Sequence, residues 1–138
     1  MKPKIFILSL FLFISFYYFP QQTPTSGSDF KEKFEAANSL MEDNFYEFAL
    51  EIWMELVNDN PQNANLNYKT GYCLLKSSSS KKEALKYLNI AKNNIKEKYF
   101  PLDHALKTAP IETYYFLGKS FHLNYQPDSA IFYFNKFI

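Results

Sequence analysis

The sequence predicts an all-α protein. Apolar residues recur at separations of three and four from Asp29 onward, the period of a helix stripe. Asn, Ser and Pro clusters interrupt those runs where helices stop and start, and no stretch alternates at period two long enough to make a strand. The helices fall into pairs, and the pairs repeat.

Phe30, Phe34, Ala37, Leu40 and Met41 form the stripe of a first helix. Phe45, Phe48, Ala49, Ile52, Trp53, Leu56 and Val57 form a second, closed by Asn58, Asp59, Asn60 and Pro61, which are stop residues. A third is expected from about Asn63 to Lys76, carrying Tyr68, Gly71, Tyr72, Leu74 and Leu75. Residues 77–80 make a polar turn. Ser80 followed by Glu83 fits a capping box, so a fourth helix is expected to start at Ser80 and to bear Ala84, Leu85, Tyr87, Leu88, Ala91 and Ile95. Residues 99–110 hold two prolines and no sustained period, which predicts a loop. A fifth helix is expected from near Pro110 to about Asn124. A sixth follows from Pro127, because proline is tolerated in a first turn.

The start of the chain reads as an address. Lys2 and Lys4 precede fifteen uncharged residues, 5–19, and polar then small residues follow to Ser28. This is the order of a secretory signal. At about 1.5 Å per residue the apolar run spans roughly 22 Å, short of a bilayer core of about 30 Å. Residues 1–28 are therefore expected to be a signal peptide cleaved within 24–28; a short uncleaved anchor is the alternative, since no Ala-x-Ala site is present. No Cys follows the apolar run to take a lipid.

Composition removes several classes. All fifteen cations are Lys and there are fourteen acids, so no basic face for nucleic acid is expected and the bidentate Arg fork is missing. One Cys makes neither an internal disulfide nor a Cys-based zinc site. Three Gly, with no Gly-rich turn, leave no phosphate loop. His104 and His122 have no second ligand at metal spacing, and Cys73 has no His near it in sequence. No catalytic residue, metal or cofactor is expected. The high aromatic fraction, 20%, also fits the codon bias of an AT-rich genome.

The pairs share a spacing. Tyr114, Leu117, Gly118 and Phe121, then Ala130 and Phe134, stand three, one and three apart, then four apart within the second helix. Gly71, Leu74, Ala84, Leu88 and Ala91 make a second copy, with one extra residue in its Ser-rich turn. Ala36, Ala37, Leu40, Ala49, Trp53, Leu56 and Pro61 make a third. This pattern resembles the tetratricopeptide repeat. The resemblance implies a solenoid of three helix-turn-helix repeats, about 30–63, 64–98 and 111–138, in a domain of residues 29–138. Residues 99–110 are then an insertion and the last repeat is incomplete. Small residues at Ala37, Gly71 and Gly118 would let the two helices of a pair approach, while Trp53, Leu88 and Phe134 would fill the gap toward the next pair. A helical bundle with coincident spacing is the alternative. The sequence stops inside the last helix, where apolar Ile131, Phe132, Phe134 and Phe137 would face a further element. A longer native chain is expected, or a dimer through that end.

Residues 109–125 further resemble the third-repeat segment in a Bacteroidetes cell-envelope family. There a tetratricopeptide domain precedes a β-propeller of WD40-like PD40 repeats and an OmpA-like peptidoglycan-binding domain, and some members are associated with type IX secretion. The resemblance implies export to the periplasm, association with the outer membrane, and a non-enzymatic scaffold that binds a protein or peptide partner. It implies no nucleic acid, no small-molecule substrate, and membrane contact only through the leader. Carrying over the usual groove positions gives Phe34, Asn38 and Met41 from the first repeat, Tyr68, Tyr72 and Leu75 from the second, and Tyr115, Lys119 and His122 from the third. Each of these could instead pack against a neighbouring repeat or the insertion. A carboxylate clamp is not expected, since Phe34 stands where it needs Lys and Glu112 where it needs a cation. The rival to a binding module is a spacer that packs on later domains of its own chain.

Overall fold

Residues 27–78 and 80–138 are described, in a computed structural model of the chain. Six α-helices account for most of them: α1 (Gly27–Glu42), α2 (Tyr46–Asp59), α3 (Ala64–Lys76), α4 (Ala84–Ala91), α5 (Thr113–Leu123) and α6 (Pro127–Phe137). Among the described residues there is no strand, only an isolated bridge between Ile95 and Ala109. The expected leader lies outside the described residues, except that Gly27 and Ser28 form the first turn of α1. No helix of the described residues is long and apolar enough to cross a membrane.

The order of packing follows the chain. α1 lies on α2, α3 on α4 and α5 on α6, and α2 meets α3 as α4 meets α5. One core of buried residues runs through the stack, from Phe34 and Trp53 through Leu66 and Leu74 to Leu88 and Leu117. Each turn within a pair places one residue in the left-handed region: Asn44 at φ 64°, Ser80 at φ 58° and Tyr125 at φ 59°. In two of them the next amide closes the helix end, Phe45 N to Leu40 O at 2.8 Å and Gln126 N to Phe121 O at 3.0 Å. These bonds satisfy carbonyls that a helix terminus would otherwise leave bare.

The expected capping box at Ser80 does not form. An N-cap needs extended backbone so that its side chain reaches back to the helix amides. Ser80 is left-handed instead and its side chain caps nothing. Its carbonyl accepts from Glu83 N at 2.9 Å, which closes a short 3-10 turn (Lys81–Glu83), and α4 starts only at Ala84. Asn63 does cap: extended at ψ 110°, its side chain accepts from the amides of Asn65 and Leu66.

The glycines are placed as the spacing requires, with one difference. A Cβ on Gly71 would stand 2.6 Å from Leu88 Cγ, and one on Gly118 would stand 2.5 Å from the Phe134 ring. The large residue of the second helix therefore sits in the notch of its own pair and not in the gap toward the next, because the missing Cβ leaves a hole of its shape there. Trp53 packs on its own partner helix, edge-on to Phe34 at 5.2 Å with Nε1 donating to Met41 Sδ at 3.1 Å, and its ring also faces Lys69 of α3 in the next pair, as expected.

The segment between α4 and α5 is longer and more ordered than a plain loop. α4 ends at Ala91, a 3-10 turn (Lys92–Asn94) follows, and the chain then leaves the stack until Thr113. Ile95 and Ala109 close its base: Lys96 N donates to Ala109 O at 2.9 Å, and Ala109 N donates to Asn94 O at 2.8 Å. Ala109 is fully buried with Ala64 and Ala91, and Tyr68 and Ile95 pack on that small cluster.

Candidate binding site

Residues 99–106 fold back over the first two pairs. Asn65, fully buried on α3, holds them from both sides: its Oδ1 accepts from Tyr99 OH at 2.6 Å, and its Nδ2 donates to Leu106 O at 3.2 Å. The Tyr99 ring stands edge-on to Tyr68 at 5.9 Å, and His104 stands edge-on to Phe34 at 6.5 Å. The face of α1 and α3 that was expected to be an open groove is thus partly roofed by the chain's own insertion.

That roof redistributes the nine groove residues. Phe34 and Leu75 are buried and line no open groove, while Asn38 is buried at the wall of a cavity. Phe34 is taken up by Trp53, Lys69 and His104. Met41, Tyr68 and Tyr72 are half-buried under or beside the insertion. On α5 the structure turns a different residue toward them: Phe116 meets Tyr72 at 5.1 Å and Tyr68 at 6.1 Å. Tyr115, 40% exposed, leans on Phe134 and Phe137 of α6 instead. Lys119 lies over the Tyr115 ring at 5.8 Å, and His122 is exposed. The structure therefore gathers Asn38, Met41, Tyr68 and Tyr72 into one place and leaves Tyr115, Lys119 and His122 outside it.

The gathered residues line a cavity of about 370 Å³, together with Glu42 and Lys69 and with Tyr99, Pro101 and Leu102 of the insertion. Lys69 is its least expected member. It is 2% exposed, and its Nζ donates to Asn38 Oδ1 at 2.7 Å. Asn38 is itself fixed, because its Nδ2 donates to Phe34 O at 2.9 Å and so turns Oδ1 toward the ammonium. The rings of Phe34 and Trp53 stand 5.3 Å and 5.2 Å from Nζ, within reach of cation–π attraction. Burial lowers the Lys69 pKa to about 8, against the pull of Cys73 and Glu42. Burial also pushes the Cys73 thiol up to about 12, which keeps it protonated and makes it a packed apolar side chain. The phenols of Tyr68 and Tyr99 are raised by burial as well.

The sequence carried one overlooked signal for this cavity. Lys69 stands three residues after Leu66 and four before Cys73, so a cation lies inside the apolar stripe of α3. No protein-family model matches the chain, and no curated protein matches its sequence.

Proposed function

We propose that the chain is a tetratricopeptide-type interaction module, exported to the cell envelope, which holds a protein or peptide partner without performing chemistry. The recurring notch supports the repeat reading, since Gly71 and Gly118 occupy the same place in two pairs and each receives its own pair's large residue. The single observation that carries the binding reading is the aromatic strip beside the insertion. Tyr68, Tyr72, Phe116 and Tyr115 continue from α3 to α5, and on the insertion the exposed Leu102 (63%) lines the same cavity as Tyr68 and Tyr72, with the exposed Phe100 (51%) two residues before it. Exposed aromatic and aliphatic side chains at this density suit the anchor pockets of a partner.

The test is capture of a partner from an envelope extract by the full chain. Changing Phe100, Leu102 and Tyr115 to Ala, all exposed positions, should reduce recovery by about tenfold or more while the helical signal stays intact. Unchanged recovery with all three would reject the strip. Sequencing the mature amino terminus tests export; a retained Met1 would favour the anchor.

The spacer reading has an observation of its own. Ile131 and Phe132 are exposed on α6, whose outer side lacks a neighbour among the described residues. If no partner is captured, with the aromatic strip intact or substituted, the module is a spacer.

A further inference from the structure

The cavity beneath the insertion holds a buried cation short of acceptors. An ammonium carries three N–H donors. Lys69 gives one to Asn38, and two aromatic faces stand beside it. Among the described residues no carboxylate forms an ion pair with it. A cation removed from water is costly unless paired, and this one opens into a cavity whose other lining is largely apolar: Met41, three tyrosine rings, Pro101 and Leu102.

We propose that this cavity binds a small carboxylate with an apolar body, its carboxylate on Lys69 and its body between Tyr68, Tyr72, Tyr99 and Leu102. Size agrees. A dry cavity of about 150 Å³ accepts a benzene ring, so 370 Å³ takes a ring or short alkyl chain with an acid arm. Charge selects a monoanion. Lys69 is the only cation lining the cavity, and the exposed Glu42 at its edge opposes a second negative charge. Asn38 turns its Oδ1 to the ammonium and one of its two amide N–H groups to Phe34 O, so it serves Lys69 as an acceptor. A phosphate monoester would bring more charge than one lysine neutralises, and the chain has no Arg to help. The insertion makes the site: without Tyr99, Pro101 and Leu102 the same face would be an open surface.

The inference goes beyond partner capture and is tested apart from it. Trp53 is the only tryptophan and its ring lies 5.2 Å from Lys69 Nζ, so its fluorescence reports occupancy. The full chain is titrated with 3-phenylpropionate, with octanoate, with the neutral 3-phenylpropionamide, and with a short acidic peptide. Saturable binding of at least one of the two acids is expected, with the amide weaker than 3-phenylpropionate by about tenfold or more, as a charge-assisted bond to a buried ammonium implies. Lys69→Met, verified as folded by circular dichroism, should bind acid and amide alike. Glu42→Gln, which leaves the floor untouched, should tighten the acid by about twofold to threefold by removing a screened like charge. Leu102→Ala should weaken acid and amide together. The proposal is overturned if neither acid binds, if the amide equals the acid in the unaltered chain, or if Lys69→Met keeps the preference. Weaker binding to Glu42→Gln also overturns it, in favour of a ligand that carries its own cation. Binding of the peptide alone overturns it too, and leaves the partner-binding reading standing.

Discussion

α3 and α6 contrast in burial. Both belong to pairs built on the same notch, yet α3 buries ten of its thirteen residues while α6 buries only Ala130. α3 has α2 on one side, its own partner α4 on another, and the insertion across its face. α6 has α5 and little else among the described residues. A helix pair therefore specifies its own closure locally, while most of its buried area comes from what stacks on it. Two pairs with one local rule should respond differently to the same injury.

The largest effect is expected at the buried notch. Leu88→Ala should cost about 3 kcal/mol, because Leu88 is fully enclosed against Gly71. Phe134→Ala should cost less, about 1–2 kcal/mol, because that ring is only half-buried against Gly118. Urea denaturation of the two variants checks the order. The glycines sharpen the comparison through a change of sign. Gly71→Ala should destabilise the unaltered chain by about 1–3 kcal/mol, since its Cβ meets a branched side chain with nowhere to go. In the Leu88→Ala background the same change should stabilise by about 0.5–1 kcal/mol, the ordinary preference of a helix for Ala over Gly. A double-mutant cycle without that reversal would break the notch account.

Lys69 gives an intermediate effect with a pH signature. Its pKa in the folded state, about 8, lies below the ordinary 10.5. Between those values the unfolded chain binds more protons, so this group's contribution to stability rises with pH through that window and is least favourable below about 8. Lys69→Met fills the same space without the charge and should raise stability by about 1–2 kcal/mol at pH 7. The advantage over the unaltered chain should shrink as pH rises from 7.5 to 9.5. Cys73 acts in the opposite sense: raised from 9.0 to about 12, it contributes stability below pH 9 that is lost as pH rises toward 12. Thermal melts of both proteins across that range check the crossing trend. An advantage that grows with pH would mean that the surroundings of Lys69 stabilise it as a cation.

The smallest effect separates two helix starts. Asn63→Ala should cost about 1 kcal/mol, since Asn63 caps two amides of α3. Ser80→Ala should change stability by less than about 0.5 kcal/mol, because no capping bond is lost. Equal losses would mean that the Ser80 side chain caps α4 after all.

The helices, the start of α3 near Asn63 and the start of α6 at Pro127 were legible in the sequence because they depend on spacing and local backbone chemistry. Ser80 was misread because a capping box is defined by residue type, while the cap requires an extended backbone that the longer turn does not supply. The site was legible only in part. Tyr68, Tyr72, Asn38 and Met41 do come together, but the burial of Phe34 and Leu75 depends on tertiary neighbours. On α5 the choice between Tyr115 and Phe116 is one residue, about 100° of helix rotation. The motif fixes which side Gly118 turns to α6 and leaves open which neighbour faces α3. Lys69 escaped notice because a lone cation in an apolar stripe gains its meaning from Asn38, thirty-one residues away.

The bridge between Ile95 and Ala109 has a consequence for inheritance. Because the two ends of the insertion are clasped at one point, the helices on either side dock as though the chain passed directly between them. The entropy of closing such a loop grows only slowly with its length. Residues 97–107 are thus open to exchange for longer, shorter or differently charged segments. The chemistry of the roof can drift between descendants while the helical stack beneath keeps its geometry.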